Sequence, residues 1–291
     1  MKTSGLSCPL LAAVVLAAAV MIGGLVAASA HSGQAATIGI TIAAAGDIAY
    51  SNSGDSATAK LLSSIGPDWV LTLGDDAYEK GSSYDYSTYY VPTWGGFKSI
   101  TKPSPGNHEY QTPGASGYFG YFSVRPYYSY DVGAWHLISL NSEIAHGSGS
   151  YQEQWLRYDL AAHPATCILA YWHRPRFSSG LAGNDASFDA FWRDLYAAHA
   201  EIVLNGHDHD YERFSRQNPN GQLDGHGLQE FVVGTGGRSH GSFLTIRTNS
   251  VIRGTGMYGV LRLTLYDGSY SWKFLPEAGK SFTDGGSKSC M

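Results

Sequence analysis

The chain has 291 residues, of which 43% are hydrophobic and 15% charged, with 24 acidic against 19 basic side chains and a formal net charge of -5. That apolar content suits a folded unit at the upper end of single-domain size and excludes a disordered chain. A weakly acidic sequence without a block of Lys or Arg lacks the positive surplus that phosphate neutralisation demands, so no standing nucleic-acid partner is expected.

Lys2 is followed by an apolar run from Pro9 to Val26 and then by Ala28-Ser29-Ala30, the small-x-small pattern of a secretory signal peptide. We expect residues 1–30 to be removed after Ala30, leaving a short linker over 31–37 and one domain over 38–291. An uncleaved anchor is the alternative, because the run approaches the roughly twenty residues that span a bilayer. Its richness in Ala and Gly favours cleavage, and with it export and a mature chain free of membrane. Cys8 leaves with the signal, and it precedes the apolar run, where lipid attachment is poorly served. Cys167 and Cys290 remain, and an oxidising compartment permits them to bridge and pin the C-terminal tail.

From Ile38 onward short apolar strands alternate with helical stretches. IGITIAAAGD reads as a strand ending at Asp47, DSATAKLLSSIG as a helix with Asp55 at its N-cap, and DWVLTLGD as a second strand, which together make a β-α-β unit. The series continues through KPSPGNHE, the strand pair YYSYDVG and AWHLISLNS, the helix YQEQWLRYDLAAH, the strand TCILAYWH, the helix ASFDAFWRDLYAAH and the strand EIVLNGHDH. Such alternation predicts a layered α/β fold. The chain closes differently, on GVLRLTLY, the turn Asp267-Gly268 and SYSWKF, a hairpin of strict alternation.

Polar chemistry collects where those strands stop. Asp47, Asp75, Asn107, His173, His207 and His209 each sit at or just past a predicted strand end, where open α/β sheets form their ligand crevice. Taken singly, Gly-Asp is a common turn or cap and Asn-His a common loop. As a set, carboxylates, an amide and imidazoles at one sheet edge are the hard and borderline donors that a pair of hydrolytic metal ions needs. In GHDH the two histidines lie two apart, so an extended segment points them the same way and turns Asp208 elsewhere, to a supporting or surface position.

Five blocks, GDIAY (46–50), GDDAY (74–78), GNHE (106–109), AYWH (170–173) and GHDH (206–209), resemble in order those of the calcineurin-like metallophosphoesterases. Within them the tyrosine three places after the second aspartate is similar to the purple acid phosphatase branch. The resemblance implies a four-layer α/β/β/α sandwich built on two packed mixed sheets, carrying one metallophosphoesterase catalytic domain. It also implies one metal held by Asp47, Asp75, Tyr78 and His209, and a second held by Asp75, Asn107, His173 and His207, with Asp75 bridging. The first set, rich in anionic oxygen, suits Fe(III), and the second suits Zn, Mn or Fe(II). The function implied is a secreted acid phosphatase that splits small phosphate esters by in-line attack of a metal-bound hydroxide.

Further expectations follow from the same blocks. The resemblance gives His108 the task of holding phosphate and protonating the leaving alkoxide, against the alternative of a loop histidine bonded to Glu109. Asp76 is expected to cap the turn after the second strand. Plant-type members carry adjacent histidines after the fourth block, where this chain reads RPRFSSGLAGNDAS. Arg174 and Arg176 are candidates for the phosphate role left vacant, or else a solvated pair flanking Pro175. Expected substrate contacts are thus Asn107, His108 and Arg174. His136 reads as a strand residue, and His163 and His199 as helix-end residues. Two other functions stay open at this point. One is a phosphodiesterase or nucleotidase on the same centre. The other is a non-catalytic secreted protein that binds a polymer through an aromatic surface such as YDYSTYYVPTWGGF. Oligomeric state is not legible.

Overall fold

The computed structural model describes residues 39–51 and 54–291, and the expected signal peptide and linker lie outside them. Strand β1 (Ile40–Ala45) pairs in parallel with β2 (Trp69–Leu73), and β2 with β3 (Thr101–Ser104). On the other side of β1 run β11 (Gly259–Tyr266), β12 (Ser269–Pro276) and β13 (Gly285–Ser289), all antiparallel, giving the order β13-β12-β11-β1-β2-β3. The second sheet has at its centre four parallel strands, β5 (Trp135–Ser139), β6 (Cys167–Tyr171), β7 (Ile202–Asn205) and β9 (Gln229–Val233). Antiparallel β4 (Tyr128–Val132), β8 (Tyr211–Phe214) and β10 (Ser250–Gly254) complete it in the order β10-β8-β9-β7-β6-β5-β4.

Strand period places the core. Along β6, Cys167, Leu169 and Tyr171 point into a cluster shared with Ile42, Leu71, Leu263 and Phe274 of the first sheet, whereas Ile168 and Ala170 point into a second cluster. That second cluster takes Leu156 from the helix Tyr151–Ala162 and Phe191, Trp192 and Leu195 from the helix Asp189–Ala197. Strands apolar on both faces are what a sheet covered on both sides requires. The helix Gly54–Ile65 packs Leu62 against the first sheet from outside. Two mixed sheets with flanking helices match the expected architecture.

Several local readings change. Asp55 lies inside the first turn of its helix, where its carboxylate accepts from the Ser56 N–H at 2.6 Å, so it is not the N-cap. β8, β9, β10 and β13 were not legible, because short or glycine-rich segments such as GGSKS become strands only beside a partner. The aromatic stretch from Tyr84 to Phe97 is not a flat binding face: Tyr86, Tyr90 and Trp94 are buried, and Trp94 donates from Nε1 to Thr58 Oγ1 at 3.0 Å. The hairpin turn is as read, with Tyr266 opposite Ser269 and Gly268 at φ 77°. Cys167 and Cys290 are joined by a disulfide, with a Cα–Cα distance of 5.6 Å.

Candidate metal centre

Every parallel strand that carries a quoted block ends at one edge, and the chain there stays paired beyond the strands proper. The N–H groups of Asp47, Ile48 and Ala49 each donate to the carbonyls of Gly74, Asp75 and Asp76 at 3.0 Å, and Tyr78 N–H returns to Ala49 at 2.9 Å. The second sheet is tied in by Gly46 N–H to the Val233 carbonyl at 2.9 Å and His207 N–H to Asp47 Oδ2 at 2.8 Å, and within it Gly206 N–H donates to the His173 carbonyl at 2.9 Å. Asp47, Asp75 and His207 turn sharply out of their strands at φ 60°, 53° and 72°. Asp and His are among the few non-glycine residues that enter this region readily, and it is held only where surroundings fix it. Glycine is needed next to them: at Gly74, φ 84°, an added Cβ would fall 2.7 Å from the His173 ring, and at Gly206 one would fall 2.8 Å from Asp47 Oδ2.

The side chains gather in two overlapping sets. Tyr78 Oη lies 2.8 Å from Asp47 Oδ1, 2.9 Å from Asp75 Oδ2 and 3.4 Å from His209 Nε2, and His209 Nε2 lies 3.1 Å from Asp47 Oδ1. Around His173 Nε2 stand Asn107 Oδ1 at 3.2 Å, Asp75 Oδ2 at 3.3 Å and His207 Nδ1 at 3.1 Å. Asp75 Oδ2 belongs to both. Ligand atoms bonded to one ion at 2.0–2.2 Å stand about 2.8–3.6 Å apart, from right-angled to tetrahedral geometry, so the distances in both sets have the spacing of a coordination shell. The donor chemistry fits as well, since one set offers two carboxylates, a phenol and an imidazole, and the other a carboxylate, an amide and two imidazoles.

Second contacts orient the rings. His173 Nδ1 donates to the Leu73 carbonyl at 2.8 Å, which leaves its Nε2 lone pair facing the cluster. His209 Nδ1 pairs with Ser239 Oγ at 2.6 Å, and His207 places Nδ1 inward with Nε2 toward Arg174 Nη1 at 3.1 Å. His108 donates from Nδ1 to the Glu79 carbonyl at 2.5 Å, packs tilted by 57° against the Tyr78 ring with centroids 4.3 Å apart, and turns Nε2 inward to 3.8 Å from Asp75 Oδ2. It is therefore not bonded to Glu109.

Electrostatics set these groups apart from ordinary surface residues. Burial opposes charge on Asp47 and Asp75, yet facing imidazoles, His209 on Asp47 and His173 on Asp75, hold both below the usual carboxylate range. For His173 burial favours the neutral ring, but Asp75 and Asp47 raise it to about 10. His207 is driven down to about 3 by burial, then by His173 and Arg174. Burial and the two aspartates push the Tyr78 phenol well above its ordinary value. Cations bound among these groups would invert that order, favouring phenolate and neutral imidazoles.

Some residues play other parts than expected. Asp76 is fully buried and does not cap the turn; Glu109 does. Glu109 Oε2 accepts from Asp75 N–H at 2.9 Å and Gly106 N–H at 2.7 Å, and Oε1 accepts from Asp76 N–H at 2.9 Å, so one buried carboxylate ties two ligand loops together. Burial, then Asp75, raise it to about 7. Asp208 is buried too, away from the cluster, accepting from Ser178 Oγ at 2.5 Å and Ala182 N–H at 2.8 Å. Arg176 is turned to Asp189 at 2.5 Å, so of the two arginines flanking Pro175 only Arg174 reaches the cluster. Glu143, Ser239 and Arg238, whose N–H donates to the Asp47 carbonyl at 2.9 Å and whose guanidinium lies 5.0 Å from the Tyr78 ring centroid, were missed. For Arg238 and Ser239 the sequence offers one signal, the glycine-rich run GTGGRSHG, which the structure places directly after β9.

The calcineurin-like phosphoesterase model matches residues 40–211. Among curated relatives, purple acid phosphatase 15 of Arabidopsis thaliana is 30% identical over 239 residues, covering 67% of this chain and 44% of the relative. Purple acid phosphatase 22 of the same plant is 27% identical over 222 residues, covering 66% and 49%. The chain thus spans about half the length of the curated relatives it matches. Among solved structures, purple acid phosphatase PPD1 from yellow lupin (Lupinus luteus) seeds superposes with a TM-score of 0.72 at 18% identity over 87% of this chain and 54% of that one. GAP50, the anchor in the inner membrane complex of Plasmodium, gives 0.66 at 14% identity over 85% and 88%.

Proposed function

The chain belongs to the calcineurin-like phosphoesterase family, and on that footing we propose that it is a secreted acid phosphatase acting on small phosphate monoesters at a dinuclear metal centre. The observation that carries this reading is the sharing of Asp75 Oδ2 between two donor sets, each with shell-like spacing. Asp47, Asp75, Tyr78 and His209 would hold one ion, Fe(III), and Asp75, Asn107, His173 and His207 the other, a divalent Zn, Mn or Fe. Two such ions supply Lewis acidity to the phosphoryl oxygens and acidify water at neutral or mildly acidic pH.

The protein's own groups do the rest. Asp47 and Asp75 supply buried negative charge that offsets that of the cations. His108, its Nδ1 proton fixed on the Glu79 carbonyl, presents Nε2 toward the cluster as the group that hydrogen-bonds the phosphoryl oxygen and passes a proton to the leaving alkoxide. Asn107 and Arg174 border the same space and complete the substrate contacts. Export is consistent with the Cys167–Cys290 bridge, since such bonds persist in oxidising compartments. Among the described residues no helix is long and apolar enough to cross a membrane.

The test is direct. The full chain, supplied with iron and zinc, is assayed on an aryl phosphate with elemental analysis alongside. Two ions per chain and hydrolysis are expected, with Asp75→Asn losing at least about 100-fold in kcat/KM together with metal, because a carboxamide lacks the charge needed between two cations. A folded protein that holds two ions and cleaves no phosphate ester, or one that cleaves diesters in preference, overturns the reading.

A further inference from the structure

Arg174 is more than a neighbour of the cluster. Its Nε donates to Glu143 Oε1 at 2.8 Å and its Nη2 to Glu143 Oε2 at 3.3 Å, a two-point clamp on a side chain that is one-third exposed (33%). Glu143 is itself fixed: its N–H donates to Asn141 Oδ1 at 2.9 Å, and its Oε1 accepts from Ser142 Oγ at 2.8 Å. Asn141 in turn exchanges two hydrogen bonds with Gln152, at 2.8 and 2.9 Å, and donates to Tyr110 Oη at 2.8 Å. The arginine is therefore anchored to the helix Tyr151–Ala162 and to the loop that carries Asn107 and His108. Two of its five N–H donors serve Glu143. Nη1 lies 3.1 Å from His207 Nε2, which carries the ring proton whenever Nδ1 serves as a ligand, so the three remaining donors are left for an anionic ligand. Beside it lies a cavity of about 270 Å³ lined among others by Arg174, Pro175, Gly183, Asn184, His207 and Asp185, the last accepting from Ser187 N–H at 2.9 Å.

We propose that Arg174, positioned by Glu143, binds a terminal phosphoryl oxygen at this cavity and selects phosphomonoester dianions over diester monoanions. The inference rests on the phosphatase reading above. A monoester carries up to two negative charges at neutral pH, its second proton leaving near pH 6, and has three terminal oxygens. A diester has one charge, and an organic substituent takes the place of one of those oxygens. A fixed guanidinium that meets such a substituent loses its hydrogen bond and its charge partner, which is how a polar site discriminates strongly.

The experiment compares wild type with Arg174→Gln, Glu143→Gln and Glu143→Asp, all metal-loaded. It reads kcat/KM on an aryl monoester and a bis-aryl diester, and, by calorimetry, binding of inorganic phosphate and of dimethyl phosphate. Arg174→Gln is expected to weaken inorganic phosphate binding by about 10–100-fold and to lower the monoester-to-diester ratio of kcat/KM by about 10-fold or more. Glu143→Gln should raise the monoester KM more than it lowers kcat, with Glu143→Asp restoring part of the loss. Equal losses on both esters, or unchanged phosphate affinity, would overturn the assignment. If Arg174→Gln sheds an ion, Glu143→Gln, which alters no residue of the metal set, carries the same comparison. Phosphate binding that depends on Arg174 in a protein with no monoesterase activity would keep the site and remove the phosphatase reading.

Discussion

In the proposed centre, Tyr78 is the residue on which the iron assignment rests. Its hydroxyl rests between two buried aspartates at 2.8 and 2.9 Å, and burial and those charges hold the proton on the phenol. A strongly charged cation displaces that proton where a weaker one does not. The iron-supplied protein should show a visible phenolate-to-Fe(III) band that Tyr78→Phe abolishes; a colourless, iron-free and fully active wild type would reject the iron while sparing the hydrolase. Residue identity was the most legible layer here, because the donor types stand at fixed offsets from strand ends. Partners were less so. Glu109 lies two residues from Asn107, but that its carboxylate spans two loops depends on β2 and β3 lying side by side. Nothing in the sequence pairs Glu143 with Arg174, 31 positions on.

At the scale of elements, helix Tyr151–Ala162 is fastened to β4 and β5 through a buried imidazole. His136 lies between Asp131 at 2.7 Å and Asp159 at 2.9 Å, and its ring stacks on His163 at 4.9 Å. Burial opposes the charged ring, but the two carboxylates raise it above its ordinary 6.5. Burial likewise raises Asp159, yet hydrogen bonds from His136 and Ser129 bring it below 3.8. The signs fix a window. The His136 contribution is full below about pH 6.5 and fades as pH rises through the raised value; the Asp159 contribution is present above about 3.8 and fades as pH falls through the lowered one. Asp159→Asn should therefore lower Tm most between about pH 4 and 6.5, and the gap should narrow toward pH 9. Thermal melts across that range check it, and a gap constant with pH would show that the pair does not titrate with folding. The sequence placed His136 on a strand and His163 at a helix end; the pairing came from the packing of helix on sheet.

Across the whole molecule the disulfide joins the start of β6, in the second sheet, to the residue just after β13, the edge of the first. It closes 123 residues, and loop entropy alone assigns such a bond up to about 5 kcal/mol. Replacing both cysteines with Ser should lower the urea midpoint by an amount corresponding to about 2–5 kcal/mol and leave the proposed phosphatase activity at 25 °C unchanged, since Cys167 opens β6 and His173 follows its far end. A midpoint that does not move would mean that β13 docks without the bond. Local pattern in the sequence determined the alternation of strands and helices, the terminal hairpin and the donors at the strand ends, because side-chain period and turn chemistry act over a few residues. Only the tertiary structure decided the order of strands in two sheets, the pairing of β8, β9, β10 and β13, the Glu109 tie and the Glu143–Arg174 clamp. Those depend on hydrogen bonds and burial between segments distant in the chain, which local propensity does not encode.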